Sequence, residues 1–299
     1  MSRSTFAERS YGVAPAGYRL PDATRLGEVR LQVADLDRSV AFYRQVLGLE
    51  LLARDGDTAR LGAAGDREPI VTLVERRGAR SRARRAQLGL YHFAVLLPDR
   101  ASLGRFVAHL GRLGIRAGMS DHLVSEAVYL DDPDGLGIEV YADRPRESWS
   151  SRERQLVMAT EPLDVRSLRD AAGDVEWTGA PAGTRIGHVH LHVGDLREAA
   201  AFYHDALGFD AVVWNYPGAL FLSAGGYHHH LGTNSWAVGA GPATDEDARL
   251  LEWEIVLPAQ ADVDAAAESL DRAGHAVRRD GAAAIALDPW GTAVRLRHE

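Results

Sequence analysis

The feature that most constrains this chain is an internal repeat. Residues 33–48, VADLDRSVAFYRQVLG, recur as residues 193–208, VGDLREAAAFYHDALG. In each copy a short alternating strand precedes an aspartate, Asp35 or Asp195, that is placed to cap the N-terminus of a helix. The two halves of the chain are therefore predicted to be copies of one strand and helix unit.

A second pair of related units divides each half again. Residues 91–98, YHFAVLLP, resemble residues 251–258, LEWEIVLP, and each segment leads into a helical stretch followed by an Asp-Pro-x-Gly sequence. These Asp-Pro-x-Gly sequences, at 132–135 and 288–291, predict hairpin turns before a last strand. The sequence thus predicts four modules, each with one strand, one helix and three short strands (βαβββ).

The repeat also sets the predicted domain boundaries. Residues 1–24 are expected to be an N-terminal tail, 25–145 a first domain of two modules, 146–184 a connecting segment and 185–299 a second domain of two modules. The connecting segment lacks a steady hydrophobic period and contains several charges, prolines and glycines. The arginine-rich stretch 76–85 is expected to be an exposed loop.

Composition limits the classes of function. The chain has 299 residues, 46% of them hydrophobic, and a formal net charge of -8, so it can bury a large core but offers no basic surface to nucleic acid. The absence of cysteine excludes disulfides, thiolate metal sites and a cysteine nucleophile. No apolar run suits a membrane span or a signal segment. We expect a cytoplasmic protein that binds a small molecule and does not bind a membrane. Whether the chain forms a homo-oligomer is left open.

The four modules, with the phrase Asp-Leu-x5-Phe-Tyr after the first strand of each half, resemble the vicinal oxygen chelate superfamily. The resemblance covers most of the chain. It implies an α+β fold in which four βαβββ modules form two tandem glyoxalase/extradiol dioxygenase-like domains. Because the superfamily includes glyoxalases, antibiotic-binding resistance proteins and extradiol ring-cleaving dioxygenases, membership alone does not define the reaction.

One motif narrows the choice. Residues 122–139 contain His122, Tyr129, an Asp-Pro pair, Gly135 and Glu139, at intervals that resemble the signature of extradiol dioxygenases. In that family the glutamate that ends the signature is an iron ligand. The histidine and the tyrosine hydrogen-bond substrate oxygens, which is the role that the resemblance implies for His122 and Tyr129.

The resemblance also implies the other metal ligands. His92 opens the module that contains Glu139, and His188 opens the adjoining module, so the implied ligand set is His92, Glu139 and His188. Two neutral imidazoles and one carboxylate leave coordination positions open for a diol and for O2. His190 and His192 alternate with His188 on one strand face, so either could replace it as a ligand or simply line the pocket.

The equivalent positions in the other two modules differ. Glu28 and Glu252 open modules one and four, and Arg295 stands where module four should offer a carboxylate. Arginine cannot bind a cation. The active pocket is therefore expected between modules two and three, and the surface between modules one and four is expected to be structural.

A run of three histidines, His228 to His230, lies late in module three. By alignment with the family, His229 is the acid/base residue beside the oxygen site, with the register open by one residue. On a strand, His228 and His230 would face one side and His229 the other. The run could instead be an adventitious surface metal binder.

Taken as a whole, the sequence is similar to two-domain bacterial catechol 2,3-dioxygenases. The resemblance implies Fe(II), with Mn(II) as the alternative metal, and an aromatic diol and O2 as substrates. The implied product is a 2-hydroxymuconate semialdehyde. Three rival functions remain: a ring-cleaving dioxygenase for hydroquinones, a glyoxalase-like isomerase or lyase, and a resistance protein that binds an aromatic ligand without catalysis.

Overall fold

The computed structural model describes residues 11–81, 87–237 and 239–299, and it confirms the α+β fold of four βαβββ modules. Module one comprises β1 (Arg25–Val33), α1 (Leu36–Gln45), β2 (Glu50–Asp55), β3 (Thr58–Gly62) and β4 (Val71–Glu75). Module two comprises β5 (Gly89–Leu96), α2 (Arg100–Leu113), β6 (Gly118–Asp121), β7 (Ser125–Asp131) and β8 (Gly137–Asp143). The connecting segment contains β9 (Ser151–Arg152), β10 (Gln155–Leu156) and α3 (Val165–Ala172).

The second half repeats the pattern. Module three comprises β11 (Arg185–His192), α4 (Leu196–Ala200), a π-helical continuation (Ala201–Ala206), β12 (Asp210–Val213), β13 (Ala219–Ser223) and β14 (Leu231–Asn234). Module four comprises β15 (Arg249–Leu257), α5 (Gln260–Arg272), β16 (Val277–Asp280), β17 (Ala283–Leu287) and β18 (Ala293–His298). Within the described ranges, no helix combines the length and the apolar character that a membrane span needs.

The helices of the repeat begin where the sequence predicts. The carboxylate of Asp35 accepts a hydrogen bond from the N–H of Arg38 at 2.9 Å, and that of Asp195 accepts one from the N–H of Arg197 at 2.7 Å. Each bond satisfies an N–H group that has no partner inside the first turn. Capping therefore ends the strand and starts the helix in both halves.

The strands form two eight-stranded sheets, and each sheet takes one module from each half of the sequence. The first sheet has the order β16-β17-β18-β15-β1-β4-β3-β2, and the second has the order β12-β13-β14-β11-β5-β8-β7-β6. The opening strands of two modules meet antiparallel at the centre of each sheet: β15 with β1, and β11 with β5. Modules two and three therefore share one sheet, and modules one and four share the other.

Two tyrosines of the repeat link the sheets. The hydroxyl of Tyr43, on α1, donates to Asp132 at 3.2 Å, and that of Tyr203 donates to Asp288 at 2.9 Å. Both aspartates begin the predicted Asp-Pro-x-Gly turns, in each of which the N–H of the glycine donates to the aspartate carbonyl at 3.0 Å. Both tyrosines are fully buried. Each one therefore joins a helix of one sheet to a turn of the other.

The predicted N-terminal tail is packed where it is described. Residues 1–10 lie outside the described residues, but Val13 forms a bridge with β12. The N–H of Leu20 donates to the carbonyl of Gly208 at 2.9 Å, and the Leu20 side chain is buried. The described residues 11–24 thus pack against module three, and the predicted domain bounds stay predictions.

The connecting segment also contributes to the core. Leu168 on α3 is fully buried, and the ring of Trp177 packs edge-on against Phe106 of α2 with centroids 5.3 Å apart. The sequence of the segment has no hydrophobic period that would predict this packing, because only a few of its side chains face the protein. The segment therefore covers α2 while it joins the two halves.

The predicted arginine-rich loop, residues 76–85, is described only in part, because residues 82–85 lie outside the described residues. In the described part, Arg80 lies 2.8 Å from Asp247, and Arg76 pairs with Glu246. These ion pairs hold this part of the loop against the segment that precedes β15.

Helix α2 offers a matched test of this packing. A Cβ on Gly104 would lie 2.3 Å from the backbone oxygen of Leu168, whereas a Cβ on Gly111 would meet nothing within 4 Å. Helix propensity favours alanine at both positions by about 1 kcal/mol. We expect Gly111→Ala to raise the free energy of unfolding by up to about 1 kcal/mol, and Gly104→Ala to lower it by about 1–3 kcal/mol.

Urea denaturation of the two variants measures both effects. Equal stabilisation by the two substitutions would show that α3 does not pack closely on α2.

Candidate metal centre and cavity

Strand pairing brings together the three predicted metal ligands. Ala94, in β5, pairs with Glu139 of β8 on one side and with His188 of β11 on the other. His92 lies two residues before Ala94 and so projects from the same face of the sheet. The small side chain of Ala94 leaves room for the three longer ones to meet above it.

The three side chains converge on one point. Oε2 of Glu139 lies 3.0 Å from Nε2 of His92 and 3.0 Å from Nε2 of His188. One ligand atom from each residue lies within 4.8 Å of the others. In the parts of the chain that the structure describes, this is the only cluster of three or more histidines and carboxylates with that spacing.

Burial and charge make this cluster suitable for a cation. Burial lowers the pKa of His92 and of His188, against the opposing effect of Glu139, so both imidazoles are neutral. Burial raises the pKa of Glu139, but the imidazoles outweigh it and hold this pKa well below its usual range. A buried carboxylate between neutral rings is costly unless a positive charge neutralises it.

The hydrogen bonds agree with the electrostatics. Nε2 of His92 is buried and makes no hydrogen bond with acceptable geometry, although Oε2 of Glu139 is near. A buried polar atom without a partner needs an explanation. Two imidazole nitrogens and one carboxylate oxygen form a ligand set that fits a divalent transition metal, and Nε2 of His92 has no hydrogen bond that metal binding would have to break.

A cavity of about 370 Å³ opens beside the cluster, between modules two and three. His92 and Glu139 line it, together with all three of the predicted catalytic residues, His122, Tyr129 and His229. A volume of this size suits a small organic ligand. The structure thus brings five of the six predicted site residues to one cavity, with His188 beside it against Glu139, and their individual roles stay predictions.

His122 and Tyr129 form a hydrogen-bonded pair on one wall. Nδ1 of His122 lies 2.6 Å from the carbonyl oxygen of Ala159, which can only accept, so Nδ1 carries the proton. In the neutral ring, Nε2 then accepts from the hydroxyl of Tyr129 at 2.6 Å. Burial, and then the nearby Glu139, raise the pKa of Tyr129 well above its usual value. The hydroxyl therefore stays protonated.

Of the three consecutive histidines, only His229 lines this cavity. The expectation that they lie on a strand is wrong, because β14 begins at Leu231 and a turn with positive φ at Gly225 and Gly226 precedes the run. The three side chains nevertheless diverge. His228 points to Asp143, and Nδ1 of His230 accepts from the N–H of Ala224 at 3.2 Å.

A second wall of the cavity contains His190 and His192. The amide Nδ2 of Asn234 donates to Nε2 of His190 at 2.9 Å, and Oδ1 of Asn234 accepts from Nδ1 of His192 at 2.6 Å. One amide thus holds both rings, and both histidines line the cavity rather than join the ligand cluster. The sequence predicts that both histidines share a face with His188, but only the pairing of β11 with β14 places Asn234 beside His192.

The aromatic part of this wall was missed by the sequence analysis. Tyr91 lies 4.8 Å from His192 and 5.7 Å from Trp236, measured between ring centroids. Both rings line the cavity, as does Phe221. Aromatic residues of this kind are common throughout the chain, so nothing in the sequence distinguished these from core residues.

The equivalent place in the other sheet is filled by ion pairs. Arg295 Nε lies 2.7 Å from Glu252, and Arg297 Nε lies 2.9 Å from Glu254. Glu28 accepts a hydrogen bond from Thr72 at 2.5 Å. Arginine thus neutralises Glu252 and Glu254, whereas Glu28 is held by a threonine hydroxyl.

Comparisons with known proteins agree with this architecture. The profile of the Glyoxalase/Bleomycin resistance protein/Dioxygenase superfamily matches residues 25–140 and 185–296, and the chain belongs to this superfamily. A relative from Bacillus subtilis (strain 168), named Catechol-2,3-dioxygenase, is 47% identical over 258 residues, which cover 85% of this chain and 90% of that protein.

Solved structures support the fold. A protein of Bacillus subtilis assigned as a dioxygenase matches with a TM-score of 0.64 and 15% identity, over 94% of this chain and 86% of that one. Glyoxalase I from Zea mays matches with a TM-score of 0.54 and 19% identity, over 92% of each chain. At such low identity these structures are evidence for the fold alone.

The role of Asn234 can be tested with an isosteric change. Asn234→Leu removes one partner from His190 and one from His192, and we expect it to lower the free energy of unfolding by about 1–3 kcal/mol. Asn215→Leu, at an exposed position, should change it by less than about 0.5 kcal/mol. Urea denaturation measures both, and equal costs would mean that Asn234 does not hold the two rings.

Proposed function

We propose that this protein is an extradiol ring-cleaving dioxygenase that opens catechol or a substituted catechol beside its two hydroxyl groups, using O2. The observation that carries the proposal is the convergence of His92, Glu139 and His188, two of which line the cavity, in a chain that is 47% identical to a catechol 2,3-dioxygenase. The expected product is a 2-hydroxymuconate semialdehyde.

The proposed cofactor is Fe(II), with Mn(II) as the alternative, held by His92, Glu139 and His188. Such an ion, bound by two imidazoles and one carboxylate, would keep one positive charge and open positions and would supply the redox chemistry that O2 requires. Glu139 would neutralise part of the ionic charge, and the buried walls would exclude water from the diol.

The rest of the cavity supplies orientation and proton transfer. The Tyr129 hydroxyl faces the same space as Glu139, and its oxygen can accept a hydrogen bond from a substrate hydroxyl while its proton is held by His122. His122 can bind a substrate oxygen through Nε2 where the substrate replaces its bond to Tyr129. His229 lies on the opposite, module-three side and can take a proton from the diol. The rings of Tyr91 and Trp236 are flat apolar surfaces against which an aromatic substrate can pack.

The composition of the ligand cluster supports this proposal over the rival functions. It contains one carboxylate, whereas a glyoxalase-like site would be expected to contain two. The buried Nε2 of His92, which makes no hydrogen bond, supports a metal-dependent reaction over metal-free binding of an aromatic ligand. A cytoplasmic location and a homo-oligomeric state stay predictions from the sequence.

Metal binding should stabilise the folded chain. A ligand present at 100 times its dissociation constant adds about 2.7 kcal/mol to the free energy of unfolding, which corresponds to a rise in Tm of about 4 °C for a chain of 299 residues. We expect that rise when Fe(II) is added anaerobically to the metal-free chain.

Two matched variants localise the effect. Glu139→Gln keeps the shape of the side chain but removes its charge, and should abolish the rise. Glu252→Gln, which removes a buried carboxylate from the other sheet, should retain it. A rise that survives Glu139→Gln would place the metal elsewhere.

Turnover tests the reaction itself. The chain is reconstituted with Fe(II) without air, catechol is added, air is admitted, and oxygen uptake is recorded with the yellow ring-fission product. We expect both signals in the wild type, and a loss of about 10²- to 10⁴-fold in kcat for His229→Gln because a proton-transfer group is removed. His204→Gln, whose ring binds the Phe209 carbonyl outside the cavity, is the control and should retain activity.

Each contrary outcome identifies a different error. Bound iron without turnover of catechol would favour the hydroquinone or glyoxalase-type rivals, which the same preparation can be assayed for. Failure to bind any metal would contradict the metal centre and would favour a protein that binds an aromatic ligand without catalysis.

A further inference from the structure

A chain of hydrogen bonds leads from His229 away from the cavity. Nδ1 of His229 lies 2.8 Å from Nδ1 of His228, and Nε2 of His228 lies 2.9 Å from Oδ1 of Asp143. Asp143 is the last residue of β8, and 30% of its side chain is exposed. The chain therefore joins the cavity wall to a carboxylate that solvent can reach.

The acceptor at the end of this chain sets the direction of every hydrogen bond in it. Oδ1 of Asp143 also accepts from the hydroxyl of Tyr227 at 3.0 Å, and that hydroxyl in turn accepts from Tyr141 at 2.6 Å. Two donors thus meet one carboxylate oxygen. Nε2 of His228 must carry a proton, because an unprotonated nitrogen would oppose the carboxylate with its lone pair.

The tautomer of His229 follows from that of His228. A neutral His228 with its proton on Nε2 has a lone pair on Nδ1, and this lone pair can only accept. Nδ1 of His229 must therefore donate, so its Nε2 carries a lone pair. Among the described residues, nothing donates to or accepts from Nε2 of His229, and the ring lines the cavity.

Packing fixes the ring of His228 in this orientation. The side chain is fully buried, and its centroid lies 4.1 Å from that of Tyr227, 5.5 Å from that of Trp149 and 5.9 Å from that of Tyr141. A ring enclosed in this way cannot turn without disturbing three aromatic neighbours. The hydrogen bonds of His228 are therefore set before any substrate enters.

We infer that His228 and Asp143 are positioning residues that hold His229 in the tautomer with its proton on Nδ1, so that Nε2 faces the substrate as a proton acceptor. The inference deepens the proposed function and rests on it for its catalytic meaning. His229 would then receive a proton from a substrate hydroxyl at Nε2. It would pass its Nδ1 proton to His228, whose Nε2 proton would pass to Asp143, so that one proton leaves the cavity.

The tautomer can be observed directly by ¹⁵N NMR. In the full-length, metal-free chain labelled with ¹⁵N-histidine, two-bond ¹H–¹⁵N spectra distinguish the protonated ring nitrogen from the unprotonated one. The His229 signals are assigned by their absence in His229→Gln. We expect the Nδ1–H form of His229 in the wild type, and the Nε2–H or doubly protonated form would overturn the inference.

Two isosteric variants test whether His228 is the cause. His228→Asn can place an acceptor oxygen near the position of Nδ1 and should keep the Nδ1–H form of His229. His228→Leu introduces a side chain with the shape of asparagine but without an acceptor, and should shift the ratio of the His229 tautomers by about tenfold or more. An unchanged ratio in His228→Leu, or equal shifts in both variants, would overturn the role of His228.

This experiment does not depend on turnover. If ring cleavage were absent, the tautomer result would still stand as a property of the chain. If His229 carried its proton on Nε2 while ring cleavage was observed, the inference about His228 and Asp143 would be wrong and the proposed function would stand.

Discussion

The antiparallel pairing of β5 with β11 is the interaction on which the candidate site depends. It joins the opening strands of modules two and three, which come from opposite halves of the sequence. The pairing sets Ala94 opposite His188, while the parallel pairing with β8 sets the same alanine opposite Glu139. A shift of one residue in either register would turn a ligand to the other face of the sheet.

The two sheets solve the same electrostatic problem in different ways. Both carry buried carboxylates on their central strands, and an uncompensated buried charge is costly. In the sheet of modules one and four, Arg295 and Arg297 pair with Glu252 and Glu254. In the sheet of modules two and three, no arginine of the described residues meets Glu139, which lies between two neutral histidines and close to the Tyr129 hydroxyl. The proposed metal would have the neutralising role that arginine has in the other sheet.

Much of the fold could be predicted from the sequence, because the repeat carries local signals. Asp35 and Asp195 cap their helices as expected, and the Asp-Pro-x-Gly turns precede the last strands. The candidate ligands could be named because they open modules or end a recognised motif. What could not be predicted depends on contacts between distant segments. No local sequence signal marks Asn234, the aromatic wall or the hydrogen-bond chain from His229 to Asp143. The three histidines lie between a turn and β14, so the side chains do not follow the alternation of a strand.

Anomalous X-ray diffraction at the iron edge, from crystals of the Fe(II)-loaded protein, tests the central claim most directly. The account predicts one strong peak at bonding distance, about 2 Å, from Nε2 of His92, Nε2 of His188 and a carboxylate oxygen of Glu139. It predicts no peak beside Arg295 in the other sheet. A peak at His228 to His230, or no peak in crystals of folded protein grown with excess Fe(II), would contradict the metal centre from which the proposed function follows.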